Sequence, residues 1–122
     1  MLNPRFIDRD EAPFKRAAII DAQKRSTNAK SLFSTIQITR GIRMYDALSE
    51  CYRCDEMYLN YRPGRTKGGN KNKFIAIKFE GDVMVANRKK LKVLMDGWKA
   101  DPSIVLDPIR TPQGLTYRLY FT

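Results

Sequence analysis

The chain has 122 residues, 23 Lys and Arg against 13 Asp and Glu, a net charge of +10 and no histidine. That length fits one domain, and 43% apolar residues suffice for a core. The missing histidine excludes Ser-His and Cys-His nucleophiles and histidine-held metals, two cysteines cannot staple a disulfide scaffold, and no apolar run approaches the ~18 residues of a membrane span.

Residues 1–13 predict an extended lead-in, because Pro4 and Pro13 interrupt regular structure. This stretch is charged and lacks the apolar segment of a secretion signal, so an intracellular, cytoplasmic protein is expected. Pro13 suits the first turn of a helix running to about Arg25, on a loose stripe of Phe14, Ala17, Ala18 and Ile20. Over Ser31–Thr39 the alternation and β-branched content favour a strand, which Gly41 ends. Ile42, Tyr45, Leu48 and Tyr52 recur at helical spacing and predict a helix over about 42–55.

Met57–Tyr61 reads as a short strand with Met57, Leu59 and Tyr61 on one face. Phe74–Phe79 reads as another, with Ile75, Ile77 and Phe79 together. Glu80-Gly81-Asp82 predicts a hairpin turn, with Gly81 at positive φ and Val83–Ala86 as the return strand. Asn87 is an N-cap candidate for a helix from 88 to about 100, whose stripe Leu91, Leu94, Met95 and Trp98 would face the core and bury the tryptophan. Two strands close the chain, Ile104–Leu106 and Leu115–Phe121, around a turn containing Pro108, Pro112 and Gly114. The sum is an α+β fold over residues 14–122: one domain with a helical N-terminal half, then a mainly antiparallel sheet with one packed helix, in the order β-β-α-β-β over residues 57–121.

The surplus positive charge implies a polyanionic partner, and it is clustered. Residues 62–73 read RPGRTKGGNKNK, with Arg62, Arg65, Lys67, Lys71 and Lys73 and no acid. Between two strands, such a loop can track a phosphate backbone, the arginines forking onto phosphates or base edges and the glycines permitting close approach. Arg88, Lys89, Lys90 and Lys92 form a second cluster at a helix start. Cations are the wrong sign for that end of a helix dipole, which suggests an anion bound there. The competing reading of both clusters is a solvated, salt-screened surface.

Aromatics interleave with cations: Tyr45, Tyr52, Tyr58, Tyr61, Phe74, Tyr117 and Tyr120 among Arg43, Arg53, Arg62, Lys73 and Arg118. On an open sheet such rings can stack bases, with Tyr61, Phe74 and Tyr58 as the candidates, although tyrosine on a strand is more often core. Cys51 and Cys54 lack the further ligands of a zinc site and read as reduced thiols. Asp46 and Glu50 share a helical face and, with Asp55 and Glu56, are the material for a metal-dependent nuclease, but no motif places them. The expectation is a non-enzymatic nucleic-acid-binding protein, of a size suited to a viral or mobile-element accessory factor, with no cofactor, no metal and no membrane partner. Its contacts would be the ten residues Tyr61, Arg62, Arg65, Lys67, Lys71, Lys73, Arg88, Lys89, Lys90 and Lys92. The alternative is an interaction module that grips an acidic surface on another protein, such as a polymerase or nuclease.

Overall fold

A Ser-x-x-Gln pair starts the first helix. The Ser34 hydroxyl accepts from the Gln37 amide at 3.1 Å, and the Gln37 side chain accepts from the Ser34 amide at 3.0 Å. These two bonds satisfy backbone donors that a helix start otherwise leaves open. The computed structural model describes residues 30, 32–63 and 73–122, so the predicted lead-in and the helix to Arg25 lie outside the described residues.

Helix α1 spans Thr35–Ser49 and corrects the expected strand over Ser31–Thr39. Met44, Tyr45 and Leu48 form a helical stripe that is buried, and once that stripe packs, helix propagation back to the cap outweighs local β propensity. Ile36, one of the β-branched residues behind the strand reading, is 81% exposed. Gly41 does not break the chain. It lies mid-helix, where a Cβ would come 2.8 Å from Ile75 Cδ1, so the missing side chain lets α1 approach the sheet.

After α1 come β1 (Tyr52–Arg53), β2 (Glu56–Arg62), β3 (Phe74–Glu80) and β4 (Met84–Val85). Helix α2 (Arg88–Lys99), β5 (Ile104–Thr111) and β6 (Gly114–Phe121) complete the α+β domain. Strands β2, β3, β6 and β5 form an antiparallel sheet in that spatial order. The predicted return strand Val83–Ala86 is corrected: only Met84–Val85 is strand, and it pairs with β1 rather than β3. Gly81 does have positive φ, at 96°, but both sides of β3 are taken by longer partners that bury Leu59, Tyr61, Tyr117 and Leu119. Strand β5 runs straight through Pro108, expected in a turn. Its place at the sheet edge makes the missing N–H tolerable.

Alternation gives the sheet two different faces. Met57, Leu59, Tyr61, Ile75, Ile77, Phe79, Leu115, Tyr117 and Leu119 point into the core with Met44 and Leu48 of α1. Leu91, Leu94, Met95 and Trp98 of α2 pack half-buried against the same core. The tryptophan is therefore not fully buried, as its stripe predicts, because α2 covers the core at its margin beside β5. An ion pair from Arg40 to Asp101 ties α1 to the end of α2. The Ser103 hydroxyl, at 2.6 Å, and then Arg40 hold the Asp101 carboxyl down at about 2. No helix among the described residues is long and apolar enough to cross a membrane.

Two glycines give an internal check on this packing. Gly97, in α2, has nothing within 4 Å of a built Cβ. Gly97→Ala is expected to stabilise the domain by about 0.5–1 kcal/mol through helix propensity. Gly41→Ala has the same propensity gain but pushes on Ile75, which is 0% exposed, so overpacking of about 1–3 kcal/mol should make it net destabilising. Urea midpoints of the two variants measure the opposite signs.

Candidate functional site

Helices α1 and α2 lie against the apolar face, and among the described residues no helix lies on the opposite face of the sheet. The strand registers assign its residues. Arg62 is opposite Phe74, Asn60 opposite Ala76, and Tyr58 opposite Lys78 across β2 and β3. On the far side of β3, Ala76 faces Arg118 and Lys78 faces Thr116. The outer edge, β5, contributes Asp107 opposite Arg118 and Ile109 opposite Thr116.

Phe74 and Tyr120 pack as a tilted pair with ring centroids 5.4 Å apart. The Arg118 guanidinium lies 4.9 Å from the centre of the Phe74 ring, a stacked cation that stays available to a second partner. Lys78 sits over Tyr58 at 5.9 Å, and the Tyr58 hydroxyl donates to Glu80 at 2.8 Å. Arg62 has no hydrogen bond or ion pair to any of the described residues. The face is electrically polar along the strands. Of its acids, Glu56 and Glu80 stand opposite each other at the start of β2, six residues from Arg62, or about 20 Å at ~3.3 Å per residue, while Asp107 lies opposite Arg118. The cation-rich end is also where the chain leaves the sheet after Arg62 and re-enters it at Phe74.

A depression indents this face, with Phe74, Ala76 and Ile109 as apolar lining and Arg62, Lys78 and Arg118 as cations. The hydroxyl-bearing Thr111 and Thr116 complete it, and no carboxylate lines it. Such a surface offers ring faces, N–H donors and positive charge together. It suits a planar group carrying anionic neighbours.

The structure redistributes the residues singled out from sequence. Arg62 is on the open face. Arg65, Lys67 and Lys71 lie outside the described residues. Lys73 points the other way, donating to the Leu32 carbonyl and lying 5.2 Å from the Phe33 ring centre. Tyr61 is a core residue at 5% exposure, with its ring against Phe33, and burial pushes its phenol up. It cannot stack a ligand, which corrects its assignment as a platform; its alternation with Leu59 and Met57 puts it inside. Tyr45, Tyr52 and Tyr117 are buried as well. The hydroxyls of Tyr52 and Tyr117 share a hydrogen bond at 2.5 Å.

The helix-start cations divide. Asn87 caps α2 as expected, accepting from the Lys90 amide at 3.1 Å. Lys90 pairs with Glu50 of α1, and Lys92 pairs with Asp96 at 3.1 Å. Half of that cluster is thus paired within the fold itself. Arg88 and Lys89 remain exposed, yet α2 packs on the apolar side of the sheet, so the structure does not bring them to the open face.

Cys51 is buried with its thiol toward the Ala47 carbonyl, and desolvation pushes that thiol up, away from nucleophilic chemistry. Glu50, one of the helical carboxylates, is held by Lys90. Among the described residues no group of three or more Cys, Asp and Glu is placed to hold a metal ion.

Ala76, Lys78, Ile109, Thr111 and Thr116 are the site residues that sequence reading missed. The alternation that puts Ile75, Ile77 and Phe79 inside already places Phe74, Ala76 and Lys78 outside. What alternation lacks is the strand order that sets Arg118 and Thr116 beside them. Comparison of the chain with protein-family models, with curated proteins and with solved structures gives no match.

Proposed function

We propose that this protein is a non-enzymatic nucleic-acid-binding domain whose contact surface is the open face of the sheet. The observation that carries the reading is the coincidence, on the sheet face that neither described helix covers, of the Phe74–Tyr120 ring pair with Arg62, Lys78 and Arg118. Rings that accept bases and cations that accept phosphates are the two components of single-strand binding surfaces. The basic segment RPGRTKGGNKNK supports it, since its two ends are fixed at the cation-rich end of that face. A partner protein with an acidic surface would use the cations but leave the rings without a role.

A titration with fluorescent oligonucleotides at several salt concentrations tests this. Each neutralised phosphate contributes about −0.7 to the slope of log K against log salt on a single strand. The three cations of the face alone should give about −2, and adding Arg65, Lys67 and Lys71 about −4. Absence of binding at ~50 mM salt, where such contacts are strongest, would overturn the reading and leave an acidic protein surface as the partner.

A further inference from the structure

The depression on the open face measures about 190 Å³. That falls below the ~300–1,000 Å³ of pockets enclosing drug-sized ligands, and it equals the space of about six liquid waters. It fits one ring system and not a cofactor. Phe74 and Ile109 supply apolar contact, while the hydroxyl-bearing Thr111 and Thr116 also line it. The cations Arg62 and Arg118 flank it on β2 and β6, the strands on either side of β3, placed for charges on either side of the ring.

We infer that this depression is a subsite for one unpaired base of a single-stranded nucleic acid, with the adjoining phosphates held by Arg62 and Arg118. The inference rests on the nucleic-acid reading above and narrows it. In a duplex the base faces are stacked on one another and are closed to a side-chain ring. In a single strand a base can turn out and stack on an aromatic side chain. Ala76 has the smallest side chain lining the depression, so a larger side chain at that position would intrude on it.

The experiment compares three single strands of equal length and charge, DNA, RNA and an abasic strand, with a DNA duplex of the same length, all on the full chain. A second arm repeats it with Ala76→Val, which fills the depression and keeps every cation. Base-bearing single strands of either sugar should bind at least 5-fold tighter than the abasic strand and the duplex. In Ala76→Val that preference should shrink toward unity with the salt slope unchanged. Equal binding of abasic and base-bearing strands would overturn the subsite and leave the nucleic-acid reading standing. So would a duplex bound as tightly as the single strands, or a preference retained in folded Ala76→Val. Binding of none of the four overturns both. Should Ala76→Val fail to fold, the comparison on the unaltered chain still decides between these outcomes.

Discussion

Phe74→Leu combined with Tyr120→Leu is expected to weaken binding of a single-stranded oligonucleotide by roughly 5- to 150-fold, the range given by about 1–3 kcal/mol of stacking for one base. Both rings are half-buried on the open face and touch each other, and Phe74 carries the Arg118 guanidinium. The fold loses little by comparison, about 0.5–1.5 kcal/mol for the ring pair itself. Fluorescence anisotropy at fixed salt, with a melting curve on the same sample, separates the two effects. A folded double variant of unchanged affinity would remove the aromatic half of the site.

Phe79→Ala is expected to cost the fold about 3–5 kcal/mol, a large part of the ~5–15 kcal/mol that holds a domain together. Phe79 is 0% exposed, and its ring lies 5.0 Å from Tyr52 and 6.3 Å from Tyr117. It joins the sheet core to the short β1 segment that follows α1, so its loss leaves a cavity that collapse of one layer cannot fill. Trp98→Ala should cost less despite the larger side chain, because α2 holds the tryptophan half-buried at the core margin. Urea unfolding of both variants gives the order, and a larger loss at Trp98 would mean the core is centred under α2.

Elements with strong periodicity were legible in the sequence. β2 alternates and β3 does so apart from the small Ala76, so Met57, Leu59, Ile75, Ile77 and Phe79 could be assigned inward before any partner was known. Asn87 with the stripe Leu91, Leu94, Met95 and Trp98 defines α2 in the same way. The start of α1 was misread because Leu32, Ser34, Ile36 and Ile38 alternate like a strand, while the deciding signal is the reciprocal Ser34–Gln37 cap and a stripe lying downstream. The pairing of β4 was misread because a Gly turn favours a local hairpin. Only the global arrangement shows β3 already flanked by β2 and β6.

The site was legible in composition and not in placement. Arg62, Phe74, Arg118 and Tyr120 stand out as cations and aromatics, but they come from three strands whose order the sequence does not state. Without that order Tyr61 looks as useful as Phe74, although the one faces the core and the other the open side. The helix-start cations misled for a related reason. Glu50 is 40 residues from Lys90 in sequence, and their ion pair exists only in the folded chain.

The most direct measurement is an NMR titration of the isotopically labelled protein with a short single-stranded oligonucleotide, following backbone amides. Binding on the open face should shift Phe74, Ala76, Lys78, Thr116, Arg118 and Tyr120 together and leave the amides of α1 and α2 in place. Shifts confined to Arg88–Lys92, or spread over the helices with the open face silent, would contradict the account.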